Sequence, residues 1–462
     1  MAQNFLSCDR DQPLLLPPDL RDWLPEDHLA WFVLESAEEL DLSAFYAAYR
    51  DDGHGAAAHD PRMMVALLLY AYATGERSSR RIECRLREDV AYRVIAANRV
   101  PDHATISRFR ARHTDALAAL FTGVLRLCVE AGLVSAAVLA VDGTKLAADA
   151  SGHRTRTYEE IAEEVLAEAG RIDAAEDEAY GEDRGDELPE GLRTRRGRKE
   201  WIREALRRQR EEREADPDPV PRGRAARLET CRSRLLGEHR TVVAAHRAYE
   251  EARREAPRRG RPPVPAEPPA APEGKVNTTD PDSRPMRSAK GFLQGYNAQA
   301  VTDGHQVVVA AEVLTEANDS EALAPMVELA ATELGRAGSS GRPGVVLADA
   351  GYWSTDQIDR VREGPTVPLV AVDGGSRAGP RPDRSGGPYE FMRRALATPT
   401  GTDLYRRRKW MIEPLFADIK FNRRAGRFRR RGLGAVRSEW RLLTATHNLL
   451  KLHRHRLALA AG

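Results

Sequence analysis

The chain has 462 residues, 42% hydrophobic and 31% charged, which is globular composition and excludes a wholly disordered or fibrous protein. Its 71 basic and 70 acidic residues leave a net charge of +1, so any charge signal is local. No apolar run approaches the ~18 residues of a membrane span, and the N-terminus lacks a basic segment leading into an apolar one. Four widely spaced cysteines, Cys8, Cys84, Cys128 and Cys231, make no zinc ribbon or disulfide framework. A soluble, cytoplasmic, multi-domain protein is expected.

Residues 1–132 read as an all-helical domain. Asp60-Pro61 opens an apolar run that closes at Gly75, and Ile82, Leu86, Val90, Val94 and Ile95 follow near a helical period. Asp102 caps a further helix, Thr105-Ile106-Ser107-Arg108-Phe109-Arg110. A short helix, a turn and this helix resemble a helix-turn-helix, in which Ser107, Arg108 and Arg110 face phosphates or bases. A plain helical bundle accounts for the same pattern equally well.

The period changes at Ala136. Residues 133–150 hold a β-branched, apolar strand ending in a carboxylate, Asp142. Residues 151–275 follow with 27 basic and 28 acidic side chains, and read as a charged helical insertion ending in a Pro-rich linker. From 276 to 462 the strand signal returns. Two apolar runs joined by Asp303-Gly304 form a hairpin, and then come a helix, the strand ending at Asp349, a short helix, the strand Thr366–Asp373, a loop over roughly 373–400 and two terminal helices. This order matches an α/β, ribonuclease-H-like core: a mixed five-stranded sheet with helices on both faces, interrupted after its first strand.

In that layout Asp142 ends the first strand, Asp349 ends the fourth, and Glu413 lies in the helix after the last. Adjacent first and fourth strands bring the two aspartates together, and the packing helix adds the glutamate. Three converging carboxylates repel one another unless cations sit among them. An all-oxygen set selects Mg²⁺, with Mn²⁺ as substitute. Two such ions are a known solution for in-line attack on a phosphodiester. Twelve Lys and Arg against two acids between Tyr405 and Arg437 give the footprint of a polyanion partner. No P-loop or dinucleotide fingerprint appears, so no nucleotide cofactor is expected.

The segments carrying Val141-Asp142-Gly143-Thr144-Lys145, Asp280 to Asp319, Leu347-Ala348-Asp349-Ala350-Gly351-Tyr352, and Ile412-Glu413-Pro414 to Lys420 resemble the DDE transposases of insertion sequences, in the group with a Tyr-Arg-Glu-Lys signature. The likeness runs over nearly the whole chain. It implies catalysis and metal binding by Asp142, Asp349 and Glu413, DNA as partner, a helical domain for element ends, and a homodimer in the DNA complex. Glu413 and Lys420 keep the signature's last spacing. Counted back from Glu413, its Arg position is Lys409 and its Tyr position Arg406, with Tyr405 one residue early.

Lys145 and Lys420 are then phosphate contacts, joined by Lys409 and by Arg423, Arg424, Arg427, Arg430 and Arg431 of the basic tract. Asn297 and Gln299 either line the substrate groove or are ordinary outward strand residues. Trp353 and Trp410 flank the later acids and are expected in the core. The activity implied is Mg²⁺-dependent cleavage at the element ends and transfer of the 3′-hydroxyl to target DNA. The alternatives are a catalytically silent sequence-specific DNA-binding protein and a nuclease of the same fold without strand transfer. Bound to DNA, the protein is expected at the nucleoid.

Overall fold

The computed structural model describes residues 20–49, 58–180, 223–255, 270–288, 291–372 and 386–461. The Pro-rich linker at 256–269, the middle of the charged insertion and the Gly/Pro/Arg loop at 373–385 therefore lie outside the described residues. Seven α-helices open the described chain: α1 (Leu29–Glu39), α2 (Ser43–Tyr46), α3 (Pro61–Ala73), α4 (Ser79–Glu88), α5 (Val90–Ile95), α6 (His103–Arg112) and α7 (Thr114–Glu130). Their starts are written in the sequence. Asp60 accepts from the Arg62 N–H ahead of Pro61, and Asp102 from the Thr105 N–H, each satisfying a donor that the first helical turn leaves free. Helix α3 is buried from Met64 to Ala73, as an apolar run without a polar face requires.

Strand β1 (Val138–Ala147) begins the sheet. After it come β2 (Thr155–Thr157), α8 (Tyr158–Tyr180), α9 (Arg224–Glu255) and β3 (Lys275–Asn277). These four make the insertion, in which β2 and β3 pair antiparallel and Ile161, Leu228, Cys231, Leu235 and Val276 form a small core of their own. The chain then supplies β4 (Arg284–Ser288), β5 (Gly291–Thr302), β6 (Val308–Leu314), α10 (Leu323–Arg336), β7 (Val345–Ala348), α11 (Thr355–Arg362), β8 (Val367–Val370), α12 (Gly387–Ala397), α13 (Pro399–Ala417) and α14 (Leu433–Ala461).

The sheet order is β4-β5-β1-β7-β8, with β6 also on β5. Strands β4, β6 and β1 each pair antiparallel with β5, while β1, β7 and β8 run parallel. This is the mixed, ribonuclease-H-like arrangement, preceded by the helical region. One apolar core joins the two, from Leu68 and Phe121 in the helices to Val141, Val346 and Leu443 around the sheet. Helix α14 makes the connection, packing against α3, α7 and β6.

Three details depart from expectation. Strand β1 does not stop at Asp142 but continues to Ala147, because β5 still pairs with it there after β7 has ended. The stretch read as loop holds α12. Helix α13 starts eleven residues before Trp410, where Thr398 accepts from the Gly401 N–H and Pro399 sits in the first turn. Its charged first half has no apolar period to betray it. No helix among the described residues is long and apolar enough to cross a membrane.

Candidate active site

Ala140 and Leu347 are the last registered partners of the parallel strands β1 and β7. Asp142 and Asp349 each lie two residues further on. They therefore sit side by side where the parallel pairing stops, Asp349 just past the end of β7 and Asp142 within β1, at the edge where open α/β sheets hold their ligands. Asp349 is fixed by its own turn, its carboxylate accepting from the Gly351 N–H at 2.8 Å. Asp142 accepts from the Gly143 N–H at 2.8 Å and from Arg408 at 2.9 Å. Burial pushes the Asp142 carboxyl up to about 6; the Arg408 guanidinium opposes that rise and the Asp349 charge adds to it.

Arg408 comes from α13, and Tyr405 one turn earlier lies under its guanidinium at 5.9 Å. Burial opposes the charge on Arg408, but Asp142, Tyr405 and Asp349 outweigh it and hold its pKa above the ordinary value. Its Nε is buried without a partner. The pair facing the aspartates is thus Tyr405 and Arg408, in unbroken Tyr-x-x-Arg spacing. Counting back from Glu413 had pointed to Arg406 and Lys409 instead. Lys409 is exposed, and Arg406 pairs with Asp403 on the outer side of the helix.

Glu413 does not join the aspartates. It follows Arg408 by five residues, about 140° around the helix, and it is exposed, with no hydrogen bond or ion pair among the described residues. Consistently, no group of three or more His, Cys, Asp or Glu among the described residues is placed to hold a metal ion. Lys420, in the π-helical turn that ends α13, donates to the Thr144 hydroxyl. Thr144 is two positions along β1 from Asp142 and so on the same face of the sheet. Burial lowers the Lys420 pKa, with Asp142 opposing.

The opposite face carries a network that the sequence did not announce. Lys145 lies 3.2 Å from Asp319, in the loop before α10. Asn297 and Gln299, both fully buried, donate to the same carboxylate oxygen at 2.6 and 2.8 Å, and Gln299 also bonds Asn297 at 2.9 Å. The Tyr352 hydroxyl closes the network on Gln299. These amides are spent within the fold, so neither reading made for them from sequence, groove lining or outward strand residue, describes them. Gly143 is needed beside them, since a Cβ there would run into the Gln299 amide. Asp319 was legible only as the end of an Asn-Asp pair.

Other expected DNA contacts divide by burial. Arg423 is buried, bonded to Asp418 at 2.6 Å and to Thr446 at 2.9 Å. Asp418, at the start of the π-helical turn that holds Lys420, is its counterion. Arg110 is likewise internal, bonded to Tyr72, Ser79 and the Arg77 carbonyl. Ser107 and Arg108 are exposed on α6, and Arg424, Arg427 and Arg431 are exposed beyond the π turn. Arg430 reaches Thr114 at 2.8 Å. Trp353 is partly buried and packs edge-on against Tyr389, whereas Trp410 is half-exposed instead of in the core.

Residues 264–449 match the Transposase DDE domain, and residues 18–112 match the Transposase domain (DUF772). The chain belongs to the DDE transposases. No curated protein and no solved structure matches it. In this transposase the catalytic-domain match starts after β1, so Asp142 lies outside it. The register of β1 between β5 and β7 is what ties Asp142 to the matched part.

Proposed function

We propose that this transposase cuts DNA at the ends of an insertion sequence and joins the freed 3′-hydroxyl to target DNA, with Asp142, Asp349 and Glu413 as its catalytic carboxylates. The observation that carries the reading is the juxtaposition of Asp142 and Asp349 where the parallel pairing of β1 with β7 stops. The donor set fits magnesium, which is commonly bound by one or two carboxylates together with water and substrate phosphate oxygens. The raised pKa of Asp142, to which the Asp349 charge contributes, fits the same role, since a cation between the carboxylates relieves that repulsion. Divalent ions held there supply activation of the attacking oxygen and charge stabilisation of the leaving one.

The chain's own groups do the rest. Arg408 neutralises Asp142 in the protein alone and turns to a phosphate oxygen when DNA is present. Lys420, anchored on Thr144, holds the neighbouring phosphate. Glu413 is exposed on the α13 stripe of Lys409 and joins the aspartates only when α13 shifts on binding DNA. Water is the first nucleophile and the 3′-hydroxyl the second, so no side chain becomes covalently attached to DNA. Two copies act in the DNA complex.

The test is Mg²⁺-dependent cleavage of end-containing DNA by Asp142→Asn, Asp349→Asn and Glu413→Gln. Each is expected to lose on the order of 10²–10³ in rate, and undiminished cutting by all three would end the proposal. A second reading, a DNA-binding protein that does not cut, is favoured by the Arg408–Asp142 ion pair and the outward Glu413. Retardation of end-containing DNA with no nicking in Mg²⁺ or Mn²⁺ would select it. Cleavage without joined products would select a nuclease.

A further inference from the structure

A cavity of about 750 Å³ opens beyond the end of β1, among Ala147, Arg154, Phe292, Gln294, Arg427 and Arg431. Its most unusual wall is Phe292, an aromatic ring 83% exposed to solvent. Arg154 and Arg427 are also exposed, and their guanidinium groups make no hydrogen bond or ion pair among the described residues. Arg431 is different: it pairs with Asp149 at 2.9 Å, so it frames the wall and offers little free charge. The Arg427 loop is pinned against β1, with the Phe428 N–H donating to the Ala147 carbonyl at 2.8 Å.

The strand register relates this cavity to the aspartates. Ala300 of β5 lies opposite Asp142 of β1, and opposed residues share a face of the sheet. Phe292 and Gln294 alternate onto that same face as Ala300. Lys420 on Thr144 lies between, two residues along β1. Ala147, at the cavity edge, is five residues from Asp142, about 17 Å at ~3.4 Å per residue. By register, Asp142, Thr144 with Lys420 on it, and Phe292 thus lie on one face of the sheet, and Arg154 and Arg427 line the cavity at its far end.

We infer that this cavity seats an unpaired stretch of the DNA strand leaving the Asp142–Asp349 site, with Phe292 stacking on a base and Arg154 and Arg427 holding phosphates. The inference rests on the reading of that site as one that cuts DNA. An aromatic platform beside free cations is how proteins hold single strands regardless of sequence, because every base has a π face. A cavity of this volume is of the size that takes a small ligand, which suits a nucleotide and not a duplex. In paired DNA the base faces are already stacked and give Phe292 nothing to cover it.

The test is fluorescence anisotropy of the full chain with labelled oligothymidylate and, separately, a blunt duplex, across a salt series. Phe292→Ala is expected to weaken oligothymidylate binding about tenfold, Phe292→Trp to retain it, and both to bind duplex like wild type. Arg154→Gln with Arg427→Gln is expected to reduce the salt slope for oligothymidylate by about 1.4, at ~0.7 per phosphate contact. Unchanged oligothymidylate binding by Phe292→Ala, no binding by the wild type, or equal losses on both DNAs would overturn the inference. Phe292 is exposed, so the fold survives its replacement, and an unchanged circular dichroism melt confirms that. Cleavage by the wild type in the same preparations separates the two readings. If it binds single strands through Phe292 yet never cuts, the catalytic proposal fails and the cavity assignment stands.

Discussion

Gly143→Ala isolates the packing beneath the candidate active site. An alanine Cβ at this position would lie far inside van der Waals contact with the Gln299 Nε2, 2.9 Å from Asn297 Oδ1 and 3.0 Å from Gln299 Cδ. Neither amide has room to yield. Both side chains are fully buried, and Gln299 is held to Asn297 at 2.9 Å and Asp319 at 2.8 Å as well as to Tyr352. Forcing a methyl into such packing costs about 1–3 kcal/mol, and a buried amide torn from its partner costs about 1–3 more. The expected loss is therefore about 2–6 kcal/mol, read as a lower urea midpoint at unchanged slope. Gln299→Ala removes the clashing group, so the double variant should be less destabilised than the two single losses added together. A Gly143→Ala chain within about 0.5 kcal/mol of wild type, the range of neutral surface changes, would refute the reasoning.

Arg423→Ala strips Asp418 of its main counterion inside the fold and is expected to cost about 3–5 kcal/mol, measured by urea unfolding. Arg424→Ala, an exposed change, should leave stability within about 0.5 kcal/mol. Burial pushes the His113 imidazole down to about 4, so the unfolded chain takes up the proton first. That contribution to stability is complete above about 6.5 and drains away as pH falls toward 4; His113→Phe should flatten the pH dependence of the melting temperature across that window. Mg²⁺ is expected to raise the wild-type melting temperature, by the equivalent of about 2.7 kcal/mol at a hundredfold excess over Kd. Asp142→Asn and Asp349→Asn should show a smaller rise, and an equal rise in all three chains would remove the metal from this site.

What could be read in advance follows from how each element announces itself. Val138 to Val141 and Val345 to Ala348 are apolar runs ended by carboxylates, and a parallel pairing of two such strands leaves few places for Asp142 and Asp349 except together. The α13 helix hides its orientation because a helix position is an angle as well as a distance. Glu413 and Lys420 were found by spacing, yet the side chain that reaches Asp142 is Arg408, selected by the buried stripe of Arg408, Met411, Ile412 and Leu415. Asn297 and Gln299 mislead for a related reason. Alternation gives the face of a strand on which a polar residue lies, but not whether a loop closes over it. That information resides in Asp319, twenty residues on from Gln299, whose carboxylate meets Lys145 and both amides only once β1, β5 and the loop before α10 are assembled. A burial-driven network of this kind has no local period, and the glycine that makes room for it, Gly143, is the one trace it leaves beside Asp142.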